Sequence, residues 1–134
     1  MIPIKDLRIG DLVKTTTRNP ILEKGSICKV VLIDALINSI IVQKSDMDVC
    51  RCLVKEEIEG VPLTPEILEK NGWELEYYAP IIYGHVGLDI EISFLQTFKR
   101  WPVLLNAISL REIQYVHQLQ HILWALGEDA KLII

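Results

Sequence analysis

Cysteine is scarce, with Cys28, Cys50 and Cys52 the only three in 134 residues. An odd number leaves one thiol over in any intramolecular pairing, which fits a reducing compartment, so a cytoplasmic location is expected. No apolar run approaches the roughly 18 residues a spanning helix needs. The opening MIPIKDLRIGDLV puts Lys5, Asp6 and Gly10 where a signal peptide has its apolar stretch, and no membrane association is expected. Positive charge is not in excess: 14 Lys and Arg stand against 18 Asp and Glu, a net charge of −4, which argues against non-specific binding of nucleic acid. Catalytic motifs are missing too. There is no nucleophile elbow, no paired-carboxylate motif and no phosphate loop, since Gly84-His-Val-Gly87 lacks the Lys-Ser/Thr ending and joins two strand-like runs. The expectation is a protein that is not an enzyme and takes no cofactor.

What is present is an apolar chain, half of it in the hydrophobic set, long enough for one compact core or two small ones. Four β-branched runs fill the first part: Leu7–Thr15, Ser26–Ile33, Leu36–Gln43 and Val49–Val54. Short links between them predict an antiparallel meander closed into a small SH3-like barrel over residues 1–60, with Gly10 at a bulge or bend. KEEIEGVP, broken by Gly60 and Pro62, reads as a solvated linker to a second domain over residues 61–134.

In that second part Thr64 as N-cap and Pro65 at the first helical position predict a short helix that Asn71-Gly72 ends. Trp73–Ile82 reads as a strand and Leu88–Leu95 as its hairpin partner, the latter alternating Leu88, Ile90, Ile92 and Phe94 against Asp89, Glu91 and Ser93. Trp101–Ala107 reads as a third strand. Arg111–Leu126 reads as a long helix, with Ser109 and Glu112 in capping-box spacing and Gly127 at its end. At about 100° per residue its apolar arc runs through Tyr115, Leu119, Ile122, Leu123 and Leu126 to Trp124, wide enough to pack on two sides. The fold class expected is therefore α+β: a small antiparallel barrel, then an antiparallel sheet covered by a long helix. The tail Lys131–Ile134 is too apolar to stay loose, and an edge strand or a contact with another subunit is expected of it.

Three groups of residues invite a chemical reading. His117 and His121, at i and i+4, have the spacing of a helical metal pair, but Gln118 stands where a zinc-protease helix carries its glutamate; ordinary helix-face residues are the expectation and no metal is assigned. Cys50 and Cys52 share one face of their strand with Val54 and are expected to pack in a core. Gln114, Gln118 and His121, with His117 at their border and Tyr115 beside them, form an uncharged polar row that either caps backbone groups within the fold or presents a surface to a partner.

Two stretches resemble a known family. Val61-Pro-Leu-Thr-Pro-Glu-Ile-Leu-Glu-Lys-Asn-Gly-Trp73 and Ile113-Gln-Tyr-Val-His-Gln-Leu-Gln120, with Ala125, Leu126, Gly127 and Glu128 following, are similar to uncharacterised small bacterial proteins of prophage-like or mobile regions that carry a YVHQLQ helix. The chain departs from the pattern at His121, where an Asn is usual, and drops a Thr before Gly127. The resemblance implies a phage-related origin and supplies no activity.

The leading expectation is a binding or assembly module that associates with itself or docks a protein partner. The alternative is a nucleic-acid-binding accessory protein, because the first thirty residues hold six basic residues, Lys5, Arg8, Lys14, Arg18, Lys24 and Lys29, against three acidic ones.

Overall fold

The computed structural model describes residues 2–16, 22–44, 50–78, 80–95, 99–106 and 108–134. It is α+β, mostly strands, with two antiparallel sheets and one main helix. The chain divides into two compact units, Met1–Val61 and Pro62–Ile134. No helix among the described residues is long and apolar enough to cross a membrane.

The first unit is a five-stranded sheet built from β1 (Leu12–Thr15), β2 (Ile27–Asp34), β3 (Ser39–Lys44), β4 (Cys50–Val54) and β5 (Ile58–Gly60), in the order β4-β3-β2-β1-β5. Val13, Val30, Ile40, Val42 and Ile58 are completely buried on its inner face, and burial of each contributes about 1.5–3 kcal/mol before chain entropy is counted. Among the described residues the outer strands β4 and β5 are not paired with each other, so no closed barrel is found. The first strand is shorter than the sequence predicts. Asp11, buried, accepts the Arg8 amide at 2.7 Å and closes a turn through Gly10, whose φ of +96° suits glycine, so the ladder begins only at Leu12. Thr15, also buried, donates its hydroxyl to Glu23 O and accepts from Ser26 N, which pins the segment leading into β2.

Two expectations for this unit are corrected. The stretch read as a linker is a 3₁₀ turn, Lys55–Glu57, followed by β5, which pairs with β1 across Val13–Gly60, Lys14–Glu59 and Thr15–Ile58. Glu57 accepts the Val54 amide at 3.1 Å and Glu59 meets Lys14 at 3.1 Å, so two of its acids are engaged rather than merely solvated. Cys52 is exposed, not a core residue, because β4 turns Leu53 inward; Cys28 alone of the thiols described is buried.

The second unit begins with α1 (Pro65–Lys70), started by Thr64, whose hydroxyl accepts the Ile67 amide at 3.3 Å. Five strands follow: β6 (Trp73–Tyr78), β7 (Ile81–His85), β8 (Ile90–Phe94), β9 (Trp101–Leu105) and β10 (Ile108–Ile113), a meander in the order β10-β9-β8-β7-β6. Trp101 is the centre of this core. It is 1% exposed, stacks on Phe94 at 4.2 Å, and donates its indole N–H to Leu63 O at 3.1 Å. The helix α2 (Val116–Ala125) comes last. Here too the sequence reading needs correction. The run Trp73–Ile82 is two strands of a hairpin, and the helix is ten residues long, not sixteen, because Ile108–Ile113 pairs with β9 as a strand. Ser109 and Glu112, read as a capping box, therefore belong to the sheet.

Candidate functional site

Helix α2 starts where β10 ends, and one side chain makes the junction. Gln118 Oε1 accepts the amides of Gln114 at 2.7 Å and of the N-cap residue Tyr115 at 3.1 Å, so the third helical residue reaches back to satisfy two backbone donors at the strand-to-helix junction. Leu63 N donates to Gln114 O at 2.9 Å, which ties the start of the unit to the same point. Of the polar row read from the sequence, Gln118 thus caps backbone groups inside the fold. His117 is buried, not at an exposed border; its ring lies parallel to Tyr115 at 5.7 Å and edge-on to His121 at 5.7 Å. Gln114 is exposed and His121 half-buried. Among the described residues no group of three or more His, Cys, Asp or Glu is placed to hold a metal. The buried side of α2 is Val116, His117, Leu119, Gln120, Ile122 and Leu123, whereas Trp124 and Leu126, expected on the packed arc, are 62% and 40% exposed.

Gln120 carries the chain onward. Buried on the packed side, its amide donates to Ala130 O at 3.1 Å, and Asp129 Oδ1 accepts the Lys131 amide at 2.9 Å, so the segment after the helix folds back instead of running away from it. Gly127, at φ +75°, makes the reversal. The segment then meets Asn71 at the end of α1. Asn71 Oδ1 accepts the Ile133 amide at 2.7 Å and Nδ2 donates to Ile133 O at 2.7 Å, while the same Nδ2 also reaches Ile67 O at 2.7 Å. A primary amide that both accepts from and donates to one residue's backbone reproduces the pairing a neighbouring strand would offer. The tail expected to add an edge strand finds a side chain in that role.

Below this segment lies a cavity of about 470 Å³ lined by Asn71, Trp73, His85, Leu88, Leu123 and Leu132, with Val86, Gly87, Glu128, Asp129 and Lys131 completing its walls. That volume is within the range of small-ligand and side-chain pockets, roughly 300–1,000 Å³. His85 sits edge-on to Trp73 at 5.3 Å, with Nδ1 2.8 Å from Val86 O and Nε2 3.1 Å from Asn71 O. A neutral ring donates to only one of these oxygens, so its tautomer decides which contact is a bond. Gly72 makes the approach geometrically available: its φ is +85°, and a Cβ there would lie 2.9 Å from His85 Nε2. On the neighbouring β7 the buried Tyr83 phenol is raised above its ordinary value of 10.0, by burial first and then by the carboxylates of Glu69 and Glu66 and by Tyr78. The cavity offers walls of mixed polar and apolar surface, an indole, an imidazole edge and an amide clamp for backbone. Of these groups, the Asn71 amide holds the backbone of the chain's own Ile133.

The sequence reading reached Gln114, Tyr115, His117, Gln118 and His121, none of which lines the cavity, and it weighed His85 only as a third histidine for a metal; Asn71 and Gln120 it did not reach as members of a site. Gln120 had a signal, being polar between Val116 and Leu123 on the buried arc. Asn71 looked like a helix stop and gave none.

The basic residues of the first unit are not gathered equally. Lys5, Arg8, Lys24 and Lys29 are exposed, Lys14 is in an ion pair with Glu59, and Arg18 lies outside the described residues. Comparison with protein-family models, with curated proteins and with solved structures gives no match.

Proposed function

We propose that the protein is a non-enzymatic binding and assembly module whose second unit recognises an extended polypeptide segment. The observation that carries this is the Asn71 clamp on Ile133, set beside a cavity whose mixed walls include Trp73, His85, Leu88, Leu123 and Leu132. Backbone pairing supplies affinity without regard to sequence, and a pocket for alternate side chains supplies selectivity, which is how strand-addition sites work. The segment Ala130–Ile134 already has a ligand's place here, outside any strand or helix, ending in Leu132-Ile133-Ile134 and held by the side chains of Gln120 and Asn71. For the first unit we propose an SH3-like half-open barrel: its fifth strand returns after one 3₁₀ turn to pair with the first, in keeping with that architecture. A cytoplasmic setting and a phage-related origin belong to the same reading, the first supported by the small, odd number of cysteines in the sequence and the second by the YVHQLQ resemblance.

The test is titration of the full chain into a labelled peptide with the sequence of residues 127–134, followed by anisotropy and by tryptophan emission, since Trp73 lines the cavity. Binding is expected, weakened about tenfold by Asn71→Ala, the equivalent of one to two net hydrogen bonds. Absence of binding into the millimolar range refutes the reading. A second reading, nucleic-acid binding through the first unit, is favoured by the exposure of Lys5, Arg8, Lys24 and Lys29; retention of labelled single or double strands at low salt, lost as salt rises, is its test.

A further inference from the structure

Resting on that reading, we infer that residues 129–134 are a strap that occupies the clamp and walls the cavity, so that the site is held closed by its own chain and a ligand enters only by displacing the strap. The Asn71 amide cannot make this pairing with two segments at once. Both hydrogens of its Nδ2 are placed, one on Ile67 O and one on Ile133 O, each at 2.7 Å, and its Oδ1 accepts the Ile133 amide at 2.7 Å. A second extended segment therefore pairs with Asn71 only after Ile133 has left. The cavity is tied to the same event, because Asp129, Lys131 and Leu132 of the strap form part of its wall. Their departure leaves Trp73, His85, Leu88 and Leu123 open to the incoming side chains.

The strap is rooted firmly and seated lightly. Glu128 N donates to Leu123 O at 2.9 Å, next to Gly127 N on Trp124 O at 3.1 Å, which fixes the root to the end of α2. Beyond the root the segment lies outside any helix or strand and is seated by Gln120 on Ala130 O and by Asn71 on Ile133, a residue 65% exposed. The bond from Lys131 N to Asp129 Oδ1 lies within the segment and travels with it. The five residues from Glu128 to Ile133 reach at most about 18 Å, and so short a tether gives the strap an effective concentration in the millimolar range. A clamp built from a few hydrogen bonds and little buried surface binds at a similar concentration, so the closed form exceeds the open one by only a small factor, about threefold, and a free ligand loses about that much apparent affinity.

The experiment uses the full-length chain and the labelled peptide of residues 127–134. Ile133→Pro in the chain removes the strap amide that Asn71 accepts and leaves Asn71 and its bond to Ile67 O in place. This variant is expected to bind the peptide about threefold more tightly than the wild type, whereas the same proline placed in the peptide weakens capture. A substitution that merely disturbed the fold would not act in opposite directions on the two sides. By the same cycle Asn71→Ala, which unseats strap and peptide together, costs about threefold more in the Ile133→Pro background than in the wild type. A second measurement needs no substitution: in isotope-labelled wild-type chain, the Ile133 amide resonance is expected to leave its seated position for that of a free segment as unlabelled peptide is added. Capture of the peptide with the Ile133 amide still seated, or with Ile133→Pro no tighter than the wild type, overturns the strap and leaves the peptide-binding reading in place. No capture by either chain overturns both.

Discussion

Gln118 decides whether the polar row of α2 serves the fold or a partner, and two substitutions separate the cases. Its Oε1 closes the Gln114 and Tyr115 amides. Loss of a helix N-terminal cap costs about 0.5–2 kcal/mol, so Gln118→Ala, which opens two amides at once, is expected to destabilise the second unit by about 1–2 kcal/mol. Gln118→Glu keeps an acceptor at the same place and adds a negative charge in the first helical turn, favourable by about 0.3–1 kcal/mol; it is expected to be neutral or stabilising. The assay is urea unfolding followed by tryptophan fluorescence. Trp73, Trp101 and Trp124 all belong to Pro62–Ile134, so the signal reports this unit alone. With an m-value of about 1–3 kcal/mol/M the alanine variant shifts the midpoint down by roughly 0.3–2 M. The reasoning is refuted if both variants unfold with the wild type, or if the glutamate variant falls as far as the alanine one.

Trp101→Phe leaves Leu63 O without its donor and shrinks the ring stacked on Phe94, and a loss of about 2–4 kcal/mol is expected in the same urea assay. Tyr83 holds its proton more tightly folded than unfolded, so its contribution is complete below about pH 10 and is lost as pH rises through the raised folded value; Tyr83→Phe should remove that loss, seen as a shrinking stability difference between the two proteins at alkaline pH, with a slope of at most about 1.4 kcal/mol per pH unit. Alkylation of the native chain followed by peptide mass mapping should modify Cys52 readily and Cys28 only after denaturation, matching their exposed and buried positions. Gly72→Ala should destabilise the second unit by roughly 1–2 kcal/mol, from the positive φ and from displacement of the His85 ring, monitored by thermal melting.

Local chemistry was readable and pairing at a distance was not. Helix α1 follows from Thr64, Pro65 and Asn71-Gly72, residues whose effect does not depend on the rest of the chain. The alternation of β8 marked a strand for the same reason. Helix α2 was overextended because Ser109 and Glu112 imitate a capping box, while the actual cap, Gln118, acts on amides that are set free only when Ile108–Ile113 pairs with β9. β5 was hidden in an acidic stretch because three residues carry little periodicity and are fixed by β1. Cys52 was put in the core because apolar residues occupy both faces of its strand, leaving its phase to be set by β3. At the site, Gln118 could be listed as a possible cap from its place in the row; Asn71 and Ile133, 62 positions apart, could not be joined by any local rule.

The most direct measurement is the affinity of the wild-type chain and of Asn71→Ala for the labelled peptide of residues 127–134, read by anisotropy, because Asn71 alone pairs with the backbone of Ile133 on both its amide and its carbonyl. Binding that Asn71→Ala weakens about tenfold is expected. No binding by the wild type into the millimolar range, or equal binding by the variant, contradicts the reading.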